Sequence, residues 1–248
     1  MDRTRPVYDA IAEVYALLDD PTTISIRPDV QFFSAFADEQ PRPVVELGIG
    51  GGRVGRHARP DIGVDQSPEL LAVATARCPG LTPVLGDLTD FRLPEPASTA
   101  YAAGNCFETT ENDEQLRAMF AGIRKNVALG GLFAFDSYVP PNERLAESFQ
   151  RTRVAAATAD RVVTEAVLPD PEHSFRQIYC LEKLGTDGMV ESRHYLPPLR
   201  VRLLDPDVVI ASLEATGWEV ESAFRGGFPG HPPVQGQNVY VARAVMTA

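Results

Sequence analysis

The chain is poor in basic residues and has almost no lysine. Its 23 lysines and arginines are outnumbered by 34 aspartates and glutamates, the formal net charge is −11, and the only lysines are Lys125 and Lys183. Binding to nucleic acid requires clustered basic side chains, so this charge balance argues against DNA or RNA as a partner. The preference for arginine over lysine indicates a bacterial genome rich in G and C.

Long apolar runs and paired cysteines are also missing. No stretch approaches the ~20 consecutive apolar residues of a membrane-spanning helix, and no apolar segment of a secretory signal peptide follows Met1. The three cysteines are widely spaced without a C-x-x-C pair, which favours free thiols in a reducing compartment. The histidines show no metal-ligand spacing. We therefore expect a cytoplasmic protein that binds neither a membrane nor a metal ion.

Strand and helix patterns alternate through the first half of the chain. Two amphipathic helices are predicted at residues 7–18 and 28–37. They are followed by strands at 44–47, 62–64, 83–85, 99–103 and 132–136, and by helices at 53–58, 67–77 and 113–127. Ser67 predicts a helix N-cap, and Gly130-Gly131 predicts the end of the last helix. Strands that alternate with helices form a parallel sheet with helices on both faces.

The pattern changes after residue 138. Strands are predicted at 161–168, 174–184 and 189–195, with a hairpin turn at Thr186-Asp187-Gly188, which indicates an antiparallel insertion. Asp205-Pro206 then opens a helix, and strands at 218–224 and 238–244 pair antiparallel because the loop between them is too short for a crossover helix. The strand edges of the insertion can pair with a second copy of the chain, so a homodimer is left open.

The turn after the first strand is dense in glycine. Glu46 lies in the strand, and Gly48, Gly50 and Gly52 follow it. Glycine allows a positive φ and lets a ligand approach the main chain. The run of residues 50–55 also matches the dinucleotide pattern G-x-G-x-x-G, but a glutamate there opposes pyrophosphate, and a second nucleotide-binding half is missing. A nucleoside with a cationic tail is favoured; a dinucleotide-binding oxidoreductase and a purely structural turn are the alternatives.

These residues resemble the first motif of the class I S-adenosylmethionine-dependent methyltransferases, an acidic residue followed by G-x-G-x-G. The resemblance continues in the run GVDQS at residues 63–67, in GDLTDF at 86–91, and in VALGG at 127–131, where the family usually has L-x-P-G-G. It implies a Rossmann-like, seven-stranded α/β sheet with an antiparallel last strand. The segment between Arg53 and Asp65 is about one helical turn shorter than is usual in that family.

The resemblance also implies a division of the chain. Residues 1–40 would form a helical lid, residues 41–137 and 199–248 the cofactor-binding core, and residues 138–198 an antiparallel β insertion over the active site. Such an insertion is similar to the layer that covers the active site in the N,N-dimethyltransferases of nucleotide-linked amino sugars.

The implied cofactor is S-adenosyl-L-methionine. The residues that the resemblance assigns to it are Tyr15, Glu46, Gly48, Gly50, Gly52, Asp65, Gln66, Asp87, Leu88 and Asn105. Glu46 would lie near the ammonium group, Asp65 would accept both ribose hydroxyls, and Asp87 would accept from the adenine amino group while Leu88 packs on the ring. A turn or helix cap is the alternative role for either aspartate.

Two residues are candidates for the chemistry of transfer. His194 would be a base, although a histidine in a strand often makes only a structural hydrogen bond. Glu108, after the fourth strand, would bind a cationic amine or accept a proton, with a solvated loop position as its alternative. Cys106 has no histidine and asparagine arrangement that would make it a nucleophile. The sequence thus predicts methyl transfer to a nitrogen or oxygen of a small molecule. A dinucleotide-dependent oxidoreductase and a non-methylating protein that keeps the pocket are the alternatives.

Overall fold

Helices and strands alternate through the part of the chain that the computed structural model describes, residues 5–18, 27–138, 152–170 and 174–246. The helices are α1 (Arg5–Leu18), α2 (Pro28–Asp38), α3 (Gly55–Ala58), α4 (Pro68–Arg77), α5 (Asp113–Arg124) and α6 (Pro206–Glu214), with a 3-10 helix at Cys106–Thr109. The strands are β1 (Val44–Leu47), β2 (Ile62–Asp65), β3 (Thr82–Leu85), β4 (Ala97–Ala102), β5 (Val127–Tyr138), β6 (Thr152–Ala157), β7 (Arg161–Asp170), β8 (Ser174–Leu184), β9 (Val190–Tyr195), β10 (Leu199–Arg202), β11 (Trp218–Arg225) and β12 (Gln237–Ala244).

Seven strands form the first sheet, in the order β11-β12-β5-β4-β1-β2-β3. The pairs from β5 to β3 are parallel, and β12 is antiparallel to both β5 and β11. The predicted seven-stranded α/β sheet is confirmed. Because the carboxyl ends of parallel strands lie at one edge of a sheet, the turns after β1, β2 and β4 are brought together there.

The second sheet is antiparallel, in the order β10-β8-β7-β6, with β9 also paired to β8. It contains the three strands predicted for the insertion and two more. The strand β6 escaped prediction because most of its side chains are exposed and show no alternation of burial. The strand β10 is hydrogen-bonded to β8, although a division of the chain at residue 199 places it with the first sheet.

The end of α5 differs from the prediction. The helix ends at Arg124, and the buried side chain of Asn126 donates to the carbonyls of Phe91 and Gly122 and accepts from the backbone N–H of Leu93. Val127 already pairs with β4, so Gly130-Gly131 does not end the helix. These two glycines lie instead in a bulge of β5, where the register jumps by several residues before Leu132 pairs with Thr99.

Three aromatic contacts position the loop after β4 and the helix α2. Phe107 in the 3-10 helix packs against Phe120 of α5 and Phe135 of β5, with ring centroids 5.0 and 4.9 Å apart. On the other face of the sheet, Phe33 of α2 stacks on Tyr101 of β4 at 5.4 Å. The rings of all five residues are buried. The loop and the helix therefore rest on the core of the first sheet. Within the described residues, no helix is long and apolar enough to cross a membrane.

Candidate active site

A cavity of about 500 Å³ lies where the carboxyl ends of β1, β2 and β4 meet α1 and the second sheet. Its volume is in the range of small-ligand and cofactor sites. Nine of the ten residues predicted for a cofactor line it: Tyr15, Glu46, Gly48, Gly50, Asp65, Gln66, Asp87, Leu88 and Asn105. Gly52 does not, and neither predicted catalytic residue does.

The glycine turn forms one wall of this cavity. Gly48, Gly50 and Gly52 have φ values of +61°, +55° and +77°, which side-chain-bearing residues rarely adopt. A Cβ at Gly48 would lie 2.6 Å from Sγ of Cys106, and one at Gly52 would lie 2.8 Å from Sγ of Cys78. Gly48 thus allows the loop after β4 to approach the turn, whereas Gly52 allows the turn to pack on α4.

Glu46 is buried at the end of β1. Its Oε2 accepts a 2.9 Å hydrogen bond from the hydroxyl of Tyr101 on the neighbouring strand. Burial raises the pKa of Glu46 to about 8, against the lowering effects of Tyr101 and of the nearby Arg53 guanidinium. This raised pKa favours the protonated form of Glu46 at neutral pH, whereas a cationic group bound beside it would favour the ionised form.

Asp65, at the end of β2, connects two backbone segments. Its Oδ2 accepts from the N–H of Gly50 at 2.8 Å, and its Oδ1 accepts from the N–H of Ser67 at 2.9 Å. Burial raises the pKa of Asp65, although these N–H groups lower it. A carboxylate has about four acceptor positions, so both oxygens keep capacity for a ligand hydroxyl. The single turn of α3 does not prevent Asp65 from reaching Gly50.

Asp87 and Leu88 follow β3 at the cavity. Asp87 is exposed, and its Oδ1 accepts from both the N–H and the hydroxyl of Thr89, at 2.8 and 2.7 Å. This is the turn cap given as its alternative role. The same side chain lines the cavity next to the buried Leu88, so the cap also fixes the carboxylate there.

An ion pair that the sequence analysis did not identify lies beside the glycine turn. Nη1 of Arg53 is 2.6 Å from Oδ2 of Asp29, the second residue of α2. Nε of Arg27 lies 3.3 Å from the other oxygen of Asp29. Both arginines line the cavity. An arginine directly after the third glycine was the available signal; its partner lies 24 positions earlier and is brought near by the packing of α2.

Glu108 is buried outside the cavity rather than on a solvated loop. Its Oε1 accepts a 3.0 Å hydrogen bond from the N–H of Tyr138. Burial and the nearby Asp136 raise the pKa of Glu108 to about 8. Burial likewise raises the pKa of Asp136 to about 6, while its carboxylate accepts from the N–H of Gly104 and from Nε2 of Gln237. Glu108 thus connects the 3-10 helix to β5.

His194 and Cys106 have different locations. His194 is exposed on β9 opposite Leu181 and does not line the cavity. Cys106 does line it, but burial raises the pKa of its thiol well above the usual range, so it stays protonated and is a poor nucleophile. Asn105, before it, has φ +61°, and its buried Oδ1 accepts no hydrogen bond from the described residues.

The second sheet forms another wall of the same cavity. Glu165 of β7 is buried and accepts hydrogen bonds from Arg153 of β6 and from Gln177 and Tyr179 of β8. All four side chains line the cavity. The rings of Tyr15 and Tyr179 meet edge to face at 6.3 Å, which connects α1 to this wall.

No family model matches the sequence, and no curated protein matches it. Solved structures do match. The chain is similar to the CcbJ methyltransferase from Streptomyces caelestis, with 22% identity and a TM-score of 0.74 over 97% of this chain and 98% of that one. It is also similar to an S-adenosylmethionine-dependent methyltransferase from Clostridium acetobutylicum, with 12% identity and a TM-score of 0.76 over 94% of this chain and 98% of that one. A third similar structure is the sugar N-methyltransferase KedS8 from a Streptoalloteichus species, with 16% identity and a TM-score of 0.69 over 88% of this chain and 87% of that one. The chain therefore has the fold of these methyltransferases over nearly its whole length.

Proposed function

We propose that the protein transfers a methyl group from S-adenosyl-L-methionine to a nitrogen or oxygen of a small molecule. One observation carries the proposal. In a chain with this fold, nine residues that the sequence motifs assign to the cofactor line a single cavity. When bound, S-adenosylmethionine supplies an electrophilic methyl group on a sulfonium.

The residues around the glycine turn fit this cofactor. The positive φ of Gly48 and Gly50 leaves the main chain open to a ligand, and the buried Glu46 is suited to an ammonium group. Asp65 keeps acceptor capacity for the ribose hydroxyls, and Asp87 with Leu88 would hold the adenine. These side chains bind and orient; correct placement of two reactants is itself a large source of rate acceleration.

The acceptor would bind between this turn and the second sheet. In the wall of the second sheet, Arg153 forms an ion pair with Glu165, and Gln177 and Tyr179 are uncharged. Tyr8 and Tyr15 add aromatic surface to the cavity. Such a wall is suited to a small polar molecule. The likeness to a sugar N-methyltransferase supports an amine nitrogen and a role in natural-product or sugar metabolism.

Several coarser expectations belong to the same proposal. The chain would act in a bacterial cytoplasm, without a nucleic acid partner, with residues 1–40 as the lid and the second sheet as the cover of the active site. A homodimer would form by pairing of the edge strands of that sheet. Size-exclusion chromatography with light scattering measures the oligomeric state.

A labelled-methyl assay tests the proposed reaction. The protein is incubated with S-adenosylmethionine labelled in its methyl group and a panel of small amines and hydroxyl compounds, amino sugars among them. The expected result is transfer of label to at least one acceptor, reduced by the Asp65→Ala substitution. Cofactor binding with no transfer to any acceptor would favour a non-methylating protein, and binding of NADH in its place would favour an oxidoreductase.

A further inference from the structure

Arg53 is held in a fixed position on the cavity wall by an acidic residue of another element. Its side chain is only 19% exposed, and its Nη1 lies 2.6 Å from Oδ2 of Asp29. Asp29 is in the first turn of α2, where a helix favours negative charge. Burial would raise the pKa of Asp29, but Arg53 and Arg27 outweigh it and lower the pKa, so this carboxylate stays ionised.

The other end of the guanidinium lies against the loop after β4. A Cβ at Gly104 would lie 3.2 Å from Nη2 of Arg53, and Gly104 has a φ of +83°. The glycine therefore leaves room for the guanidinium. Arg53 therefore lies directly beside the glycine turn, with Nη1 paired to Asp29 of α2 and Nη2 next to Gly104 of the loop.

The charges around Arg53 are suited to an anion. Asp29 is shared by two guanidinium groups, those of Arg27 and Arg53, and both line the cavity. Two other acidic groups influence Arg53. The raised pKa of Glu46 favours its neutral form at neutral pH. Asp136 does not line the cavity, and its carboxylate accepts hydrogen bonds from Gly104 and Gln237.

We infer that Arg53, positioned by Asp29, binds the carboxylate of the amino-acid portion of the cofactor, while Glu46 takes its ammonium group. The inference rests on the proposed function, since it assigns a further residue to the same cofactor. Arg53 and Glu46 together recognise a zwitterion, so the cavity selects nucleosides that carry an amino acid over nucleosides that lack one. Asp29 is a positioning residue, because it acts through Arg53.

Two ligands distinguish binding of the carboxylate by Arg53 from binding of the nucleoside. S-adenosylhomocysteine carries the amino acid, whereas 5′-methylthioadenosine has the same nucleoside and thioether without it. Dissociation constants for both are measured by calorimetry on the wild type and on Arg53→Gln, Arg53→Lys and Asp29→Asn. Arg77→Gln is the matched control, because Nη1 of Arg77 contacts the carbonyl of Gly51 in the same turn without lining the cavity.

We expect the wild type to bind S-adenosylhomocysteine more tightly than methylthioadenosine. Arg53→Gln should weaken S-adenosylhomocysteine by about 10- to 100-fold, the usual effect of a lost charged hydrogen bond, and leave methylthioadenosine within about twofold. Arg53→Lys should recover part of the loss, and Asp29→Asn should lose less than Arg53→Gln. Arg77→Gln should shift both ligands by the same factor.

Other outcomes would overturn the inference, each in a recognisable way. Equal weakening of both ligands by Arg53→Gln would mean that Arg53 only supports the turn, and no weakening would mean that it does not contact the ligand. Equal affinity of the wild type for both ligands would exclude recognition of the amino acid while the proposed function stands. Failure of the wild type to bind either ligand would overturn the proposed function as well.

Discussion

The carboxylate of Asp65 accepts a 2.8 Å hydrogen bond from the backbone N–H of Gly50, across the gap between the ends of β1 and β2. The residue that we expect to bind the ribose therefore also fixes the glycine turn. A ligand hydroxyl would add to hydrogen bonds that are already formed, so the carboxylate needs no reorientation on binding. This places Asp65 among the most sensitive positions of the site.

We expect Asp65→Ala to weaken S-adenosylhomocysteine binding by roughly 1–3 kcal/mol, through lost charge-assisted hydrogen bonds. Calorimetry measures the change. Asp90→Ala is the matched control, since Asp90 is exposed and forms a surface ion pair with Arg92. Unchanged affinity in Asp65→Ala would remove the ribose assignment.

Cofactor binding should release a proton from Glu46. Burial raises the pKa of Glu46 to about 8, and an ammonium group bound beside it would favour the ionised form. The affinity for S-adenosylhomocysteine should therefore rise between pH 6 and 8, by at most about tenfold per pH unit. Calorimetry in buffers of different ionisation enthalpy measures the released proton. Glu46→Gln should abolish both effects; a wild type that releases no proton would contradict the assignment.

Glu108 should make the folded protein less stable as the pH rises. The folded protein keeps its proton up to about pH 8, whereas an exposed carboxyl loses it near 4.5. Between these values the folded state binds more protons than the unfolded state, so the unfolding free energy falls as the pH increases. Denaturant titrations should show that Glu108→Gln, which cannot ionise, becomes more stable relative to the wild type by roughly 4 kcal/mol from pH 5 to 9. A difference that does not vary with pH would refute this.

Glu165 holds together the cavity wall formed by Arg153, Glu165, Gln177 and Tyr179. Glu165→Ala removes the acceptor for Arg153, Gln177 and Tyr179, and we expect a loss of roughly 1–3 kcal/mol in unfolding free energy. The affinity of this variant for S-adenosylhomocysteine should stay within about twofold of the wild-type value, because this wall is proposed to contact the methyl-accepting substrate and not the cofactor. Glu182→Ala, which breaks a pair with Arg193 in the same sheet, should cost less than about 1 kcal/mol, because the carboxylate of Glu182 is less buried than that of Glu165. A large loss of cofactor affinity in Glu165→Ala would place the cofactor elsewhere.

His194→Ala should leave methyl transfer unchanged, since the side chain is exposed on β9 and outside the cavity. Rates with the best acceptor from the labelled-methyl panel measure this. A large fall in the rate, with cofactor affinity retained, would restore His194 as a base.

The sequence predicted the parts of the site that depend on local patterns. Glu46, Asp65 and Asp87 each stand at the end of a short apolar strand before a turn, and strand, turn and glycine signals are local. Gly130-Gly131 misled the prediction for α5 because a glycine pair is compatible with both a helix end and a β-bulge.

The residues that were missed depend on packing between distant elements. Phe33 packs α2 against Tyr101 of the first sheet, and this packing brings Asp29 of α2 close to Arg53. Glu165 collects donors from two neighbouring strands, one of which, β6, has no recognisable pattern. Glu108 looked like a loop residue until the packing of Phe107 buried the 3-10 helix that carries it.

The most direct measurement of the central claim is a calorimetric titration of the wild-type protein with S-adenosylhomocysteine, run beside NADH. We expect saturable one-to-one binding of S-adenosylhomocysteine and no binding of NADH. Binding of NADH with no binding of S-adenosylhomocysteine would contradict the assignment of the cavity from Glu46 onward.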